Sequence, residues 1–329
     1  MRRSLLRGAA LAAALALALP GAAARAQAPA FPNKPVTVII PFAAGGPTDV
    51  VGRTLADAMG RDLGQPVVAE NATGAGGTVG AARVANSRPD GHTLLLGNIG
   101  VATAPALHRK LPYDPAALET VGLVTPVPMV LVGRPDLPAR DLPALVAWMK
   151  ERGAEVNLAH AGLGSASHLC ATLLRSITRA PVTAVSFRGT APIMTEMMAG
   201  RVDLTCDQTT NALPFVQDNR VRAFAVTTGE RLPVLPAVPT AAEGGLPDLR
   251  LTVWHGLYAP KGTPRPVVER LSRALQAALR DERVAARLAE LASAPEPPER
   301  ATPEAHRALL AAETARWRPI LQAAGEFAD

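Results

Sequence analysis

One unit recurs along this chain and limits its folds sharply: a short β-branched run, a glycine-rich turn, then an amphipathic helix. The first copy is "VTVIIPFAAGGPTDVVGRTLADAMGRDL". Residues 36–40 have the composition of a buried strand. Residues 48–63 carry Val51, Leu55, Met59 and Leu63 on one stripe at four-residue steps, as a helix packed on one face requires. A second strand is expected over 66–70, then the loop "NATGAGGTVG", a helix over 78–86, a turn at 89–91 and a third strand over 93–96. This βαβαβ opening predicts a mostly parallel sheet with helices on both faces. Ligands of such sheets collect beyond the carboxyl ends of the strands. Here those ends are the loops 42–49, 72–78 and 97–101.

The alternation resumes near residue 127. Strands are expected at 129–132, 157–160, 182–187, 202–206 and 222–227, with a helix ending near 151 and another running to 178. A strand over 251–258 precedes two closing helices, 264–292 and 302–324. Those helices bring no strands of their own, so they are expected to pack back on the first unit. The chain then crosses between units twice, near 124–128 and 251–258. This predicts two α/β domains, 29–126 with 253–329 and 127–252, arranged as a hinged clamp.

The chain start reads as an export signal over residues 1–28. Arg2, Arg3 and Arg7 form a basic front, residues 8–19 are an Ala/Leu stretch broken by Pro20, and two small-x-small sites follow at 24–26 and 26–28. The run before Pro20 is shorter than the roughly 20 residues that span a bilayer. No cysteine precedes Cys170, which argues against a lipid anchor at the cleavage site. "RRSLLR" also loosely resembles a twin-arginine signal, so the export route stays open. Losing Arg2, Arg3, Arg7 and Arg25 with the signal lowers the formal charge from +6 to +2. That balance, without a basic patch interleaved with aromatics, does not suit nucleic acid.

The glycine turns carry the candidate chemistry. "PFAAGGPTD" lacks the lysine and hydroxyl of a nucleotide P-loop, and in "GAGGTVG" Val79 stands where a dinucleotide fingerprint needs glycine. A plain tight turn is the competing explanation. A third glycine loop, "GLGSASH", opens a helix on the other unit. Two helix N-termini facing each other across a cleft offer free N–H groups and partial positive charge, a fit for an organic anion. Ser165 and His168 invite a hydrolase reading, but no G-x-S-x-G elbow surrounds Ser165. Ser165 reads better as a helix N-cap, with His168 a neutral donor three residues on. Six scattered histidines and two cysteines show no metal-ligand spacing. Cys170 and Cys206 are an even pair in an exported chain; a disulfide and two buried thiols both remain open until geometry decides.

Over nearly its whole length beyond the signal the chain resembles the Bug family of extracytoplasmic solute receptors, the binding components of tripartite tricarboxylate transporters. The resemblance lies in "FPNKPVTVIIPFAAGGPTDVVGRTLA", "LGQPVVAENATGAGGTVGAARVA", "PDGHTLLLGN", "GLGSASHLC", "GRVDLTCDQTTN" and "WHGLYAPKGTP", in this order. It implies a type II periplasmic-binding-protein fold: two α/β domains with a ligand cleft between them. It further implies a periplasmic receptor that captures an organic anion, commonly a carboxylate, without transforming it. No cofactor is implied, and the expected partners are membrane permease subunits, with the receptor itself monomeric. The positions matching the family's ligand loops are Phe42, Ala43, Gly45, Gly46, Thr48 and Asp49, then Ala161, Gly164, Ser165 and His168. Gly77, Asn98, Arg188, Gly189, Asp207 and Gln208 border the expected cleft. Two departures stand out: Ala72-Thr73 replaces a usual Arg-Pro, and Ser186-Phe187-Arg188 replaces Pro-Tyr-Lys/Arg. An exported serine hydrolase using Ser165 and His168, or a receptor serving a signalling protein, are the alternatives.

Overall fold

The structure is a computed structural model that describes residues 31–325 and 327; the export signal lies outside the described residues. The opening unit follows its β-branched and glycine pattern: β1 (Val36–Ile40), α1 (Pro47–Leu63), β2 (Val67–Asn71), α2 (Thr78–Ala85), β3 (Thr93–Asn98) and α3 (Gly100–Leu107). Val51, Leu55, Met59 and Leu63 of α1 are all buried, as their spacing requires. β1 pairs in parallel with β2 and β3.

The next strand is longer than its sequence suggests. The predicted strand at 129–132 is the last quarter of β4, which runs from Leu118 to Gly133. Pro126 and Pro128 read as breaks, yet both sit in the ladder with β9 (Thr252–Pro260), opposite Trp254 and Thr252. Register shifts between Thr120 and Gly122 and between Leu123 and Thr125 mark this pairing as irregular, the setting in which a sheet tolerates proline. The two segments expected to cross between units fall in β4 and β9, which pair as an antiparallel ribbon from Leu118–Pro260 to Pro128–Thr252.

Beyond the ribbon come α4 (Leu142–Arg152), β5 (Asn157–His160), α5 (Ala166–Thr178), β6 (Thr183–Ser186), α6 (Thr190–Met198), β7 (Leu204–Gln208), α7 (Thr209–Gln217) and β8 (Arg222–Val226). Nine strands form one sheet in the order β2-β1-β3-β9-β4-β7-β5-β6, with β8 also on β4. The two wings are parallel, but every pairing of β4 and β9 is antiparallel. The expectation of a mostly parallel sheet therefore holds only in the wings: the chain must return through the middle, and that return runs the other way.

The closing helices are α8 (Arg265–Leu279), α9 (Glu282–Glu290) and α10 (Pro303–Ala324). The single helix predicted over 264–292 breaks where Asp281 caps α9 by accepting a bond from the Arg283 N–H at 2.9 Å. Leu271 and Leu275 of α8 and Leu288 of α9 share a core with Val51 and Met59 of α1, so these helices do pack on the first unit. No helix among the described residues is long and apolar enough to cross a membrane.

Candidate ligand-binding site

The turn between β1 and α1 is held by one carboxylate. Gly45 sits at φ 75°, a left-handed conformation that glycine adopts without cost. Asp49 folds back on the turn: its Oδ2 accepts from the Gly45 N–H at 2.9 Å and from Arg53 Nε at 2.9 Å, and its Oδ1 accepts from Asn71 Nδ2 at 2.9 Å. Asn71 Nδ2 also donates to the Phe42 carbonyl at 3.0 Å, tying the turn to β2. Burial pushes the Asp49 carboxyl up, but the Arg53, Gly45 and Asn71 bonds outweigh it and leave its pKa below the ordinary value. Gly46, the N-cap of α1, donates its own N–H to the Ala43 carbonyl at 3.2 Å. The N–H groups of Gly45 and Gly46, the obvious anion donors by sequence, are thus spent inside the loop.

The turn between β5 and α5 is tied by neutral groups. Ser165 caps α5, its Oγ accepting from the His168 N–H at 3.2 Å. Ser167 Oγ accepts from the Ala161 N–H at 2.8 Å. Two imidazoles accept backbone bonds: His160 Nδ1 from Gly162 at 3.2 Å and His168 Nδ1 from Gly164 at 3.3 Å. Ser165 Oγ also lies 3.2 Å from Ser167 Oγ, so it serves as a cap and a hydroxyl partner. Cys170 on α5 and Cys206 on β7 form a disulfide, with Cα atoms 6.0 Å apart and both residues fully buried. Helix α5 is thereby fixed to the strand that ends in Asp207 and Gln208.

Between the two turns lies a small, partly open cavity, ≈ 20 Å³. The first unit supplies Phe42, Pro47, Thr48 and Asn98 to its wall. The second supplies Ala161, the first-turn residues Ser165, Ala166 and Ser167, then Thr190, Asp207 and Gln208. Four helix N-termini meet here: α1 through Pro47 and Thr48, α5 through Ser165 and Ala166, α6 through Thr190, and α7 through its cap Gln208. Among the described residues no lysine or arginine lines the cavity. Each N-terminus carries roughly half a positive charge, so the four together present about +2 to whatever lies between them.

The site's hydroxyls and amides are positioned from below. Asn98, at the end of β3, reaches toward Thr48 Oγ1 at 3.5 Å while its Oδ1 accepts from the Gly100 N–H at 3.0 Å. His255, on the crossing strand β9, lies 3.3 Å from Thr48 Oγ1 through Nε2. Burial pushes the His255 pKa down to about 4, against the raising influence of the Thr125 backbone carbonyl, so this imidazole is neutral near pH 7. Asp207 is fully buried; Asn211 Nδ2 donates to its Oδ2 at 2.5 Å and the Gln208 N–H to its Oδ1 at 2.8 Å.

The cavity brings together Phe42, Thr48, Asn98, Ala161, Ser165, Asp207 and Gln208 of the residues expected from sequence. Others stand outside it. Gly45 is exposed, Asp49 faces Arg53, and Gly77 lines a separate cavity with Tyr113. His168 bonds back to Gly164, and Arg188 is exposed. Ala43, Gly46, Gly164 and Gly189 act through the backbone where the two units touch. A Cβ on Gly189 would lie 2.8 Å from Ala43 Cβ, and one on Gly46 would lie 4.0 Å from the Ala191 nitrogen. Thr103 Oγ1 donates to the Gly164 carbonyl at 3.0 Å, and a Cβ on Gly76 would lie 1.8 Å from the Leu163 carbonyl oxygen. Pro47, Ala166 and Ser167 fall inside the two segments, 43–49 and 161–168, that match the family's ligand loops, and Thr190 alone was not foreseen. The available signal was its place in the first turn of a helix that follows a glycine.

Residues 51–326 match the family model described as tripartite tricarboxylate transporter family receptor. The chain belongs to that family. The receptor is 46% identical over 297 residues to a UPF0065 protein of the TAR-I ttuE-ttuC' intergenic region of Agrobacterium vitis, covering 90% of this chain and 86% of the relative. Its structure resembles the periplasmic binding protein BugD, with a TM-score of 0.88 and 41% identity over 90% of this chain and 99% of BugD. It also resembles MatC of Rhodopseudomonas palustris with bound malate, with a TM-score of 0.86 and 41% identity over 88% of this chain and 100% of MatC. The receptor therefore has the mixed α/β fold of periplasmic solute-binding proteins of this type.

Proposed function

We propose that this receptor works in the periplasm, where it captures a small organic anion bearing a carboxylate between domains 29–126 with 253–329 and 127–252. It releases that anion unchanged to membrane permease subunits and acts as a monomer. The observation that carries the reading is the meeting of four helix N-termini on one cavity without a lysine or arginine in its wall. Such ends bind anions through backbone N–H groups and dipole charge. The ligand's carboxylate sits near Thr48, Ser165 and Thr190, whose hydroxyls turn to donate or accept. The likeness to a malate-bound receptor supports the carboxylate class.

Domain movement follows from size. A cavity of ≈ 20 Å³ has about the room that one water needs. A dicarboxylate enters only if the contacts Gly76–Leu163 and Ala43–Gly189 part, with the β4–β9 ribbon as the hinge. Turnover is not part of this function: Ser165 Oγ is engaged as a cap, and His168 Nδ1 bonds to Gly164.

A thermal-shift screen of mono-, di- and tricarboxylates, with malate first, tests the reading. At about 100 times Kd a ligand adds about 2.7 kcal/mol, which moves the melting temperature by several degrees. A screen in which neutral or cationic solutes stabilise and carboxylates do not would overturn it, as would ester hydrolysis abolished by Ser165→Ala.

A further inference from the structure

Asp207 is out of place in a receptor for anions. It stands at the carboxyl end of β7, fully buried, in the wall of the cavity that the carboxylate reading assigns to the ligand. It carries the only formal charge in that wall, and the charge has the ligand's sign. Its partners are all neutral: the Gln208 N–H, the Asn211 amide and the Thr190 hydroxyl. Beside it Gln208 Oε1 is a second buried acceptor with no partner among the described residues. Two buried acceptors therefore stand side by side in this wall, and an incoming carboxylate brings only more.

Among the described residues, the elements around Asp207 place no cationic side chain in the cavity wall. β4 places Val130 and β5 places Leu158 and Ala159 along β7. α5 presents Ser165 and Ser167, and its Cys170 is bonded to Cys206. α6 and α7 contribute Thr190 and Asn211. Among titratable groups nearby, Asp49 is paired with Arg53 outside the cavity, His255 is neutral beneath Thr48, and His160 and His168 accept backbone bonds behind the second loop. Arg188 is exposed.

We propose that Asp207 takes up a proton from solvent as the ligand binds, and that the resulting carboxylic acid donates a hydrogen bond to the ligand's carboxylate. The step is proton transfer alone: Asp207 carboxylate plus one solvent proton gives the acid, whose O–H points at the anion. The receptor thus captures its ligand together with one proton. This inference rests on the carboxylate reading and deepens it. Burial already pushes the Asp207 pKa up to about 6, against the Asn211, Thr190 and Gln208 bonds that lower it. A second carboxylate at hydrogen-bond distance raises it further, because two like charges sharing a site do not both ionise. Neutralising Asp207 also leaves the roughly +2 of the four helix ends uncompensated, a match for a dicarboxylate.

Two measurements test this, and they separate its failure from that of the carboxylate reading. In titration calorimetry with malate, two buffers of different ionisation enthalpy at about pH 7 count the protons taken up. The expected result is uptake approaching one proton per malate, with affinity weakening about tenfold per pH unit above about pH 6. Asp207→Asn should bind malate with no pH dependence, and on the order of 100-fold more tightly than wild type at about pH 8. The second measurement needs no ligand: the unfolding free energy of wild type and Asp207→Asn across pH. A folded-state pKa above the unfolded one means the native state holds an extra proton between pH 3.8 and about 6. Wild-type stability relative to the variant should therefore fall as pH rises through that window and level off above it. If malate gives no heat at any pH, the malate reading fails, and the ligand-free comparison still decides whether Asp207 binds the proton. Malate binding with no proton uptake, or a flat ligand-free comparison, overturns the inference.

Discussion

The two glycine turns that flank the cavity do the same job with opposite chemistry. The 41–49 turn has no side-chain cap on its helix; it is held by an ionised carboxylate, Asp49, and its partners Arg53 and Asn71. The 161–168 turn contains no ion pair in its described bonds; Ser165, Ser167 and two imidazole nitrogens hold it, and a disulfide one turn later anchors its helix. Each arrangement keeps positive side chains off the cavity. Arg53 is drawn outward by Asp49, and the histidines use their Nδ1 atoms as acceptors. The contrast teaches that a glycine turn at a helix start can be held from behind either by charge or by neutral caps.

The largest expected effect falls on the second turn alone. Replacing Cys170 and Cys206 by alanine opens a link across 36 residues. Stability should drop by about 3–4 kcal/mol, read as a lower urea midpoint with a somewhat steeper slope, because the unfolded chain loses its cross-link. An unchanged midpoint would show that neutral caps suffice without the cross-link. Next is Gly76→Ala, which attacks the contact between the two turns. Gly76 has φ 64°, and an added Cβ would lie 1.8 Å from the Leu163 carbonyl oxygen. Ligand affinity should fall on the order of 100-fold, about 2.7 kcal/mol, while circular dichroism stays native. Wild-type affinity in this variant would mean that the two turns need not touch.

Asp49→Ala probes the charged turn. Losing bonds to a carboxylate should cost about 2 kcal/mol of stability. The pH dependence has a definite sign: the folded pKa of Asp49 is lowered from 3.8. Its contribution is therefore present above the unfolded pKa and is lost as pH falls below it. Thermal melts of wild type and variant should converge in acid and diverge near neutrality; parallel curves would remove Asp49 from the account. The smallest effect is Ser165→Ala, about 1 kcal/mol for one lost N-cap, with no pH dependence in the same melts. A pH-dependent loss there would mean that the second turn too is held by charge.

Much of the fold was legible because burial and periodicity coincide: the Val51–Leu55–Met59–Leu63 stripe is buried as spaced. The long crossing strand was not legible, since Pro126 and Pro128 break the local pattern and only the partner β9 makes them acceptable. The α8–α9 break was written in Asp281 but masked by continuous helix formers on both sides. At the cavity, Thr48 and Ser165 could be placed from the glycine turns before them, and Asp207 and Gln208 from the family resemblance. Thr190 could not, because the meeting of four helix starts is a tertiary event. The reassignment of the Gly45 and Gly46 N–H groups is of the same kind: Asp49 folding back is a matter of geometry, and the sequence shows only an aspartate four residues on.

The central claim is that the two units close over an anion held without cationic side chains. Small-angle X-ray scattering tests it directly, on wild type with and without a carboxylate whose saturating binding has been confirmed by calorimetry. The account predicts a smaller radius of gyration with ligand, and no contraction in Gly76→Ala at matched saturation. An identical radius for free and saturated wild-type receptor would contradict it.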